Sequence, residues 1–195
     1  MFFKKKGVLL LTLVTCIWTL LGCGEPKVPE TPEEEMLIIT EDGTVREVLV
    51  EDFDKDYFDI KELETFVKDE ASTYNQKHSE IKPGPVTVTN VNLLNPEGQV
   101  RRAKVEMTYQ SCHTYADYNE AVLYCGSVAE GTYLMGESRI PAEYEENTVI
   151  ITNQPRRLYA PRKVKWISGA YPVLKDGSVD LSELPEGEKV AIVIK

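Results

Sequence analysis

The chain has 195 residues, with 22 lysines and arginines against 32 aspartates and glutamates, which gives a formal net charge of −10. This balance argues against nucleic acid and anionic bilayers as partners of the folded protein, because both bind positive charge. The sequence also has no glycine-rich phosphate loop, no Gly-x-Ser-x-Gly elbow and no HExxH pair, which mark several common enzyme classes. We expect no cofactor and assign no catalytic or metal-binding residue.

The first 22 residues are patterned as an export signal. Lys4, Lys5 and Lys6 precede an apolar run over residues 7–21, which is shorter than the roughly 20 apolar residues that span a bilayer. A basic start, a short apolar core and a small residue are the layout of a secretory signal peptide. Removing residues 1–22 takes away three lysines and no acid, which leaves 19 basic and 32 acidic residues and a net charge of −13.

The end of the apolar run resembles the lipobox of bacterial lipoprotein precursors, through Leu20, Leu21, Gly22 and Cys23. The resemblance implies cleavage by signal peptidase II just before Cys23, with Leu20, Leu21 and Gly22 as the recognised residues. It also implies a diacylglycerol, with chains such as palmitate, on the Cys23 sulfur. Acyl chains hold a protein on a membrane because each buried CH₂ contributes about 0.8 kcal/mol. The alternative is a non-lipidated signal peptide or an apolar anchor with an incidental cysteine.

The whole chain also resembles uncharacterised lipoproteins of Gram-positive anaerobes. The lipobox carries most of this resemblance, and the segments DFDKDYFDIKELETF and TYADYNEAVLYCG add to it. The resemblance implies a location, the extracytoplasmic face of the cell membrane, and it implies no reaction.

After Cys23 the composition predicts a linker and one domain. Residues 24–35 read GEPKVPETPEEE, with three prolines and five glutamates, and such a segment buries too little apolar surface to fold by itself. We expect residues 23–35 to be the lipidated cysteine and an acidic, proline-rich tether. The length of residues 36–195 suits one extracytoplasmic domain.

The first half of this domain predicts two hairpins and an intervening helix. Residues 36–40 and 44–50 flank an Asp-Gly turn, which favours a hairpin. A helical stripe follows from Ile60 to Tyr74, with Asp59 as its N-cap. Residues 86–93 and 103–110 alternate as a second hairpin, with a bulge near Asn90.

The second half predicts one more helix and then strands. The helix is expected over residues 114–124, with Thr114 as its cap, and strands over residues 148–152, 162–167, 170–174 and 189–194. The fold class is therefore α+β, mainly antiparallel β-hairpins with two amphipathic helices and an all-β C-terminal part. A sub-boundary near residue 145 would make residues 146–195 a small β module.

Cys112 and Cys125 are the cysteines that remain after the signal peptide and Cys23. A helix over residues 114–124 would hold them roughly 15 Å apart, whereas a disulfide needs Cα atoms within about 7 Å. A bridge therefore requires the helix to be shorter or bent back, and this point stays open. Cys112 beside His113 is also a candidate nucleophile and base. The alternative is that both cysteines pack as small hydrophobic residues.

One basic island interrupts the acidic chain and is a candidate site for an anion or an acidic partner. Its members are Arg156, Arg157, Arg162, Lys163 and Lys165. The alternative is that these cations neutralise carboxylates of the domain itself. Asp52, Asp54 and Asp56 imitate half of a calcium loop, but Tyr57 and Leu63 stand where the loop needs glycine and glutamate.

These observations predict a lipid-anchored lipoprotein that acts as a non-enzymatic binding or scaffold module of the cell envelope. Its partners would be the membrane, through the lipid on Cys23, and an envelope polymer or protein. The alternative is an envelope hydrolase that uses carboxylates or the pair Cys112 and His113.

Overall fold

The computed structural model describes residues 26–95, 97, 100–136 and 140–195. The predicted signal peptide and the lipobox residues Leu20, Leu21, Gly22 and Cys23 lie outside the described residues. Within the described ranges, three α-helices and nine strands form an α+β fold of two mainly antiparallel sheets. The predicted fold class is confirmed. In those same ranges no helix is both long and apolar enough to cross a bilayer.

In chain order the elements are β1 (Met36–Ile39), β2 (Val45–Asp52), α1 (Ile60–Lys77), β3 (Val86–Leu94), β4 (Arg102–Tyr109), α2 (Cys112–Tyr118), β5 (Leu123–Ser127), α3 (Val128–Gly131), β6 (Thr148–Thr152), β7 (Arg157–Tyr159), β8 (Val164–Ile167) and β9 (Val190–Ile194). Short 3-10 turns occupy Thr132–Leu134 and Ala142–Tyr144.

The first sheet contains both predicted hairpins, in the strand order β3-β4-β2-β1-β7. β1 and β2 pair from Met36 opposite Val48 to Ile39 opposite Val45. The β3–β4 register shifts between Val88 and Asn90, where the broken alternation predicted a bulge. β7 extends the sheet by parallel pairing with β1.

The second sheet has the strand order β5-β6-β9-β8. β9 lies between β6 and β8 in this sheet, and all five of its residues are buried. One apolar cluster includes Leu37 and Val105 from the first sheet and Ile150 and Ile192 from the second. The two sheets therefore share a core.

α1 begins where the sequence predicted. The Asp59 side chain accepts a hydrogen bond from the Lys61 N–H at 2.7 Å, which satisfies one of the free donors of the first turn. The helix buries Ala71 and packs Leu63 and Val67 against the shared core.

The second helix is shorter than predicted. Its N-cap is Ser111, whose hydroxyl accepts from the Thr114 N–H at 3.1 Å, and the helix ends at Tyr118. Glu120 then takes a φ of +50°, a left-handed conformation that ends a helix. Residues 123–127 form β5, which pairs with β6. The prediction of a helix to residue 124 is wrong because this tertiary pairing overrides the local pattern.

The C-terminal strands differ from the prediction in three places. β8 begins at Val164, residues 170–174 contribute only an isolated bridge between Val173 and Val179, and β7 was not predicted. The suggested sub-boundary near residue 145 is not a break in hydrogen bonding. β5 pairs with β6 across it, and β1 pairs with β7.

The described part of the predicted tether, residues 26–35, lies against the domain, and we call it the docked segment. Pro32 is buried, and its carbonyl accepts a hydrogen bond from the Lys104 Nζ at 3.3 Å. The Lys27 N–H donates to the Asp176 carbonyl at 2.7 Å. The segment forms no helix or strand, and its described contacts include these two hydrogen bonds, the burial of Pro32 and an ion pair between Glu34 and Arg157.

Candidate functional site

A pocket of about 520 Å³ opens beside the start of α2 and brings together residues that the sequence kept apart. Cys112 and His113 line it from α2, and Cys125 lines it from β5. Much of the remaining wall is apolar and includes Ala116 and Leu134. The shorter helix explains the arrangement, because the chain turns back after Tyr118 and returns along β5.

The two thiols of this pocket are free, and both side chains border the same cavity. Cys112 is buried and Cys125 is half-buried. Interaction with the Cys125 thiol and then burial raise the pKa of the Cys112 thiol. Interaction with Cys112 lowers the pKa of Cys125, and the nearby Arg162 cation lowers it further, against the effect of burial. Cys125 is therefore the thiol that ionises first.

His113 is exposed and borders the same pocket. Among the described residues no hydrogen bond joins His113 to either thiol. A cysteine nucleophile needs a base that takes its proton, whereas the raised pKa of Cys112 keeps that thiol protonated. The predicted pairing of Cys112 with His113 as a hydrolase centre therefore gains no geometric support.

Arg156, the first cation of the predicted basic island, points into the domain. Its Nη1 lies 2.7 Å from the Glu47 Oε1, and Glu47 is only 2% exposed. The same carboxylate accepts hydrogen bonds from the Tyr109 hydroxyl at 2.6 Å and the Tyr115 hydroxyl at 3.1 Å. Within the described ranges the Arg156 Nε is buried with no hydrogen-bond partner. Arg156 therefore belongs to a buried ionic cluster.

Arg157 is also used inside the molecule. It pairs with Asp176, lies 3.2 Å from a Glu34 oxygen of the docked segment, and donates to the Ser178 hydroxyl at 2.9 Å. Burial alone would raise the pKa of the Asp176 carboxyl, but hydrogen bonds from Ser178 and Tyr159 and the Arg157 cation lower it overall. Arg157 thus helps to hold the docked segment on the domain.

The other three island residues are exposed and lie at or beside the edge strand β8. They are Arg162, Lys163 and Lys165. Arg162 reaches Glu41 only at 3.9 Å, with 58% of its side chain exposed. The five cations therefore do not form one surface, and the part open to a partner is this smaller group, which we call the β8 cations.

The aspartates after β2 do not form a cation site. Asp52, Asp54 and Asp56 are exposed, and the Lys55 Nζ lies 3.3 Å from an Asp54 oxygen. Throughout the described part of the chain, no group of three or more histidine, cysteine, aspartate or glutamate residues is placed to hold a metal ion.

A second pocket, of about 490 Å³, lies between α1 and β3. Asn75 lines it and joins the two elements: its side-chain NH₂ donates to the Val86 carbonyl at 2.7 Å, and its side-chain oxygen accepts from the Val86 N–H at 3.0 Å. Ser79 and Lys82 border it with the spacing of an SxxK motif and are both exposed. In the described structure no hydrogen bond joins these two side chains, so the pocket shows no activated serine.

Comparisons with family models, with curated proteins and with solved structures found no match to this chain.

Proposed function

We propose that the protein is a lipoprotein held on the extracytoplasmic face of the cell membrane by a diacylglycerol on Cys23. It serves there as a non-enzymatic binding or scaffold module of the cell envelope. The lipobox pattern supports the anchor, and the observation that carries the structural part of the proposal is the docked segment.

The docked segment joins the proposed anchor firmly to one side of the domain. Lys27 is bound to Asp176, Pro32 to Lys104 and Glu34 to Arg157. Cys23 lies three positions before Pro26, and three extended residue steps reach at most about 11 Å. A lipid on Cys23 would therefore hold the face around Asp176 near the bilayer, with a defined orientation.

The β8 cations are the surface that we propose for an anionic envelope polymer or an acidic partner. They are exposed in a chain whose mature part has a net charge of −13, so they offer a local group of positive charges that can attract an anion. Lys165 also lies on an edge strand, where lysine protects against strand pairing. Replacing lysine with glutamate distinguishes the two roles, because glutamate keeps a charge on the edge strand but does not attract an anion.

The anchor is tested by replacing Cys23 with alanine in the full-length chain. We expect the wild-type protein to take up a labelled fatty acid and to enter the detergent phase on partitioning, and the Cys23→Ala protein to do neither and to stay uncleaved. Cys112→Ala is the matched control, because it removes a cysteine that the proposal does not lipidate. Equal labelling of the wild-type and Cys23→Ala proteins would contradict the anchor.

The partner surface is tested with a double charge reversal, Lys163→Glu with Lys165→Glu. We expect reduced retention on anionic envelope polymer and unchanged thermal stability, because both side chains are exposed. Lys61→Glu with Lys77→Glu changes the net charge equally on α1 and is the control. If both double variants reduce retention to the same extent, net charge rather than the β8 cations is responsible.

A further inference from the structure

We propose that Cys112 and Cys125 form a thiol–disulfide exchange site, in which an external organic disulfide enters the pocket beside α2 and oxidises the pair to an intramolecular disulfide. The site goes beyond the proposed binding role. Its chemistry needs only these two side chains and a disulfide as the oxidant.

The fold holds the two cysteines together without help from a covalent bond. Ser111 caps α2 one residue before Cys112, which fixes the start of the helix. On the other side, β5 is paired with β6, with Cys125 opposite Ile150. Both backbones are therefore held by their own hydrogen bonds, and both cysteine side chains border the same pocket.

The pocket gives the two thiols different roles. Cys125 is half-buried and faces a largely apolar cavity, whereas Cys112 is buried. Interaction with Cys112 and with the Arg162 cation also lowers the pKa of Cys125, which favours its thiolate. Since the thiolate is the nucleophile in exchange, Cys125 is the attacking residue and Cys112 is the resolving residue.

The reaction balances in two steps. The Cys125 thiolate attacks one sulfur of an external disulfide R–S–S–R, which forms a mixed disulfide and releases the first R–S⁻. Cys112 then loses its proton and attacks the Cys125 sulfur, which releases the second R–S⁻. Two protein thiols are oxidised, one external disulfide is reduced, and the two protons end on two molecules of R–SH.

The experiment uses the full-length protein, purified in detergent and equilibrated with mixtures of oxidised and reduced glutathione. Free thiols are alkylated, and the peptides that contain Cys112 and Cys125 are identified by mass spectrometry. We expect a linked pair of peptides in the wild-type protein under oxidising conditions and its loss on reduction. If both residues remain fully alkylated in excess oxidised glutathione, the site does not exist.

Single replacements test the order of attack. We expect Cys112→Ser to accumulate glutathione on Cys125, because no resolving thiol remains. Cys125→Ser should leave Cys112 largely free, with at least about tenfold slower adduct formation, since its thiolate is disfavoured. Circular dichroism checks that both variants fold, and the wild-type result stands without them. Equal or faster modification of Cys112 would overturn the assigned roles.

Discussion

Replacing Arg156 with methionine removes the cation that faces the buried Glu47 carboxylate and keeps a side chain of similar length. Removal of one partner from a buried ion pair costs about 3–5 kcal/mol, because the remaining charge is left without compensation. Two tyrosine hydroxyls still donate to Glu47, and the orphaned Arg156 Nε disappears. We therefore expect a loss of stability near the lower end, about 3 kcal/mol.

This loss is large for a domain of this size. Globular domains unfold with free energies of about 5–15 kcal/mol, and a change of 1 kcal/mol moves the midpoint by about 2–4 °C for 150–250 residues. The Arg156→Met protein should therefore melt about 6–12 °C below the wild-type protein. Urea unfolding followed by tryptophan fluorescence measures the free energy directly.

A double-mutant cycle separates the lost pair from a simple packing defect. Glu47→Gln alone leaves the Arg156 cation partly buried without its carboxylate, and it should lower the free energy of unfolding by about as much as Arg156→Met does. The double variant Glu47→Gln with Arg156→Met lacks both charges. Its free energy of unfolding should be within about 1–2 kcal/mol of the wild-type value, because replacing a buried pair is often near neutral. The control Arg162→Met removes an exposed cation and should change stability by less than about 0.5 kcal/mol.

The outcome that refutes this reasoning is an Arg156→Met protein as stable as the Arg162→Met protein. A double variant that is no more stable than the single variants would also refute it, because charge would then not be the cause. The result bears on function as well. A charge reversal at Arg156 places two carboxylates together in the core, so it cannot report on a surface partner.

Three further predictions concern the exchange site and the anchored face. Oxidation of Cys112 and Cys125 closes a loop of about 14 residues and should stabilise the protein by about 3 kcal/mol, measured as a higher unfolding midpoint without reductant. The pKa of Asp176 is lowered in the folded protein, so its carboxylate stabilises the fold above the unfolded pKa, and this stability is lost as the pH falls through the folded pKa. Asp176→Asn should therefore flatten the decline of the unfolding midpoint below about pH 4. A Cβ on Gly177 would lie 2.9 Å from the Pro26 Cα, so Gly177→Ala should expose the docked segment to trypsin, whereas Gly187→Ala, with a similar positive φ and nothing within 4 Å, should not.

The parts of the fold that follow from local chemistry could be predicted from the sequence. The Asp42-Gly43 turn joins β1 and β2, and the Asp59 cap starts α1 where expected. Both signals depend on residues within a few positions of each other. β5 could not be predicted in this way, because its strand conformation is fixed by pairing with β6 more than twenty residues later. β7 has three residues, too few to show a period.

The candidate sites were harder to predict, because the side chains of adjacent residues can have partners in different parts of the fold. Arg156 and Arg157 are adjacent, yet one pairs with Glu47 in the core and the other with Asp176. Glu47 is 109 residues away from Arg156, so no local pattern reveals the pair. The cysteines show the opposite case: they are apart in sequence and border one pocket, because α2 ends at Tyr118 and β5 then pairs with β6.

Arg162 links the two proposed surfaces, and its variants therefore need separate interpretation. It belongs to the β8 cations, and its charge also favours the thiolate of Cys125. Arg162→Gln should slow glutathione addition at Cys125, whereas Lys165→Gln should not, although both remove one exposed cation. If polymer retention falls equally in the two variants while only Arg162→Gln changes the thiol, binding and exchange are independent properties of neighbouring residues. If oxidation of the thiols itself changes retention, the exchange site controls the binding surface through Arg162.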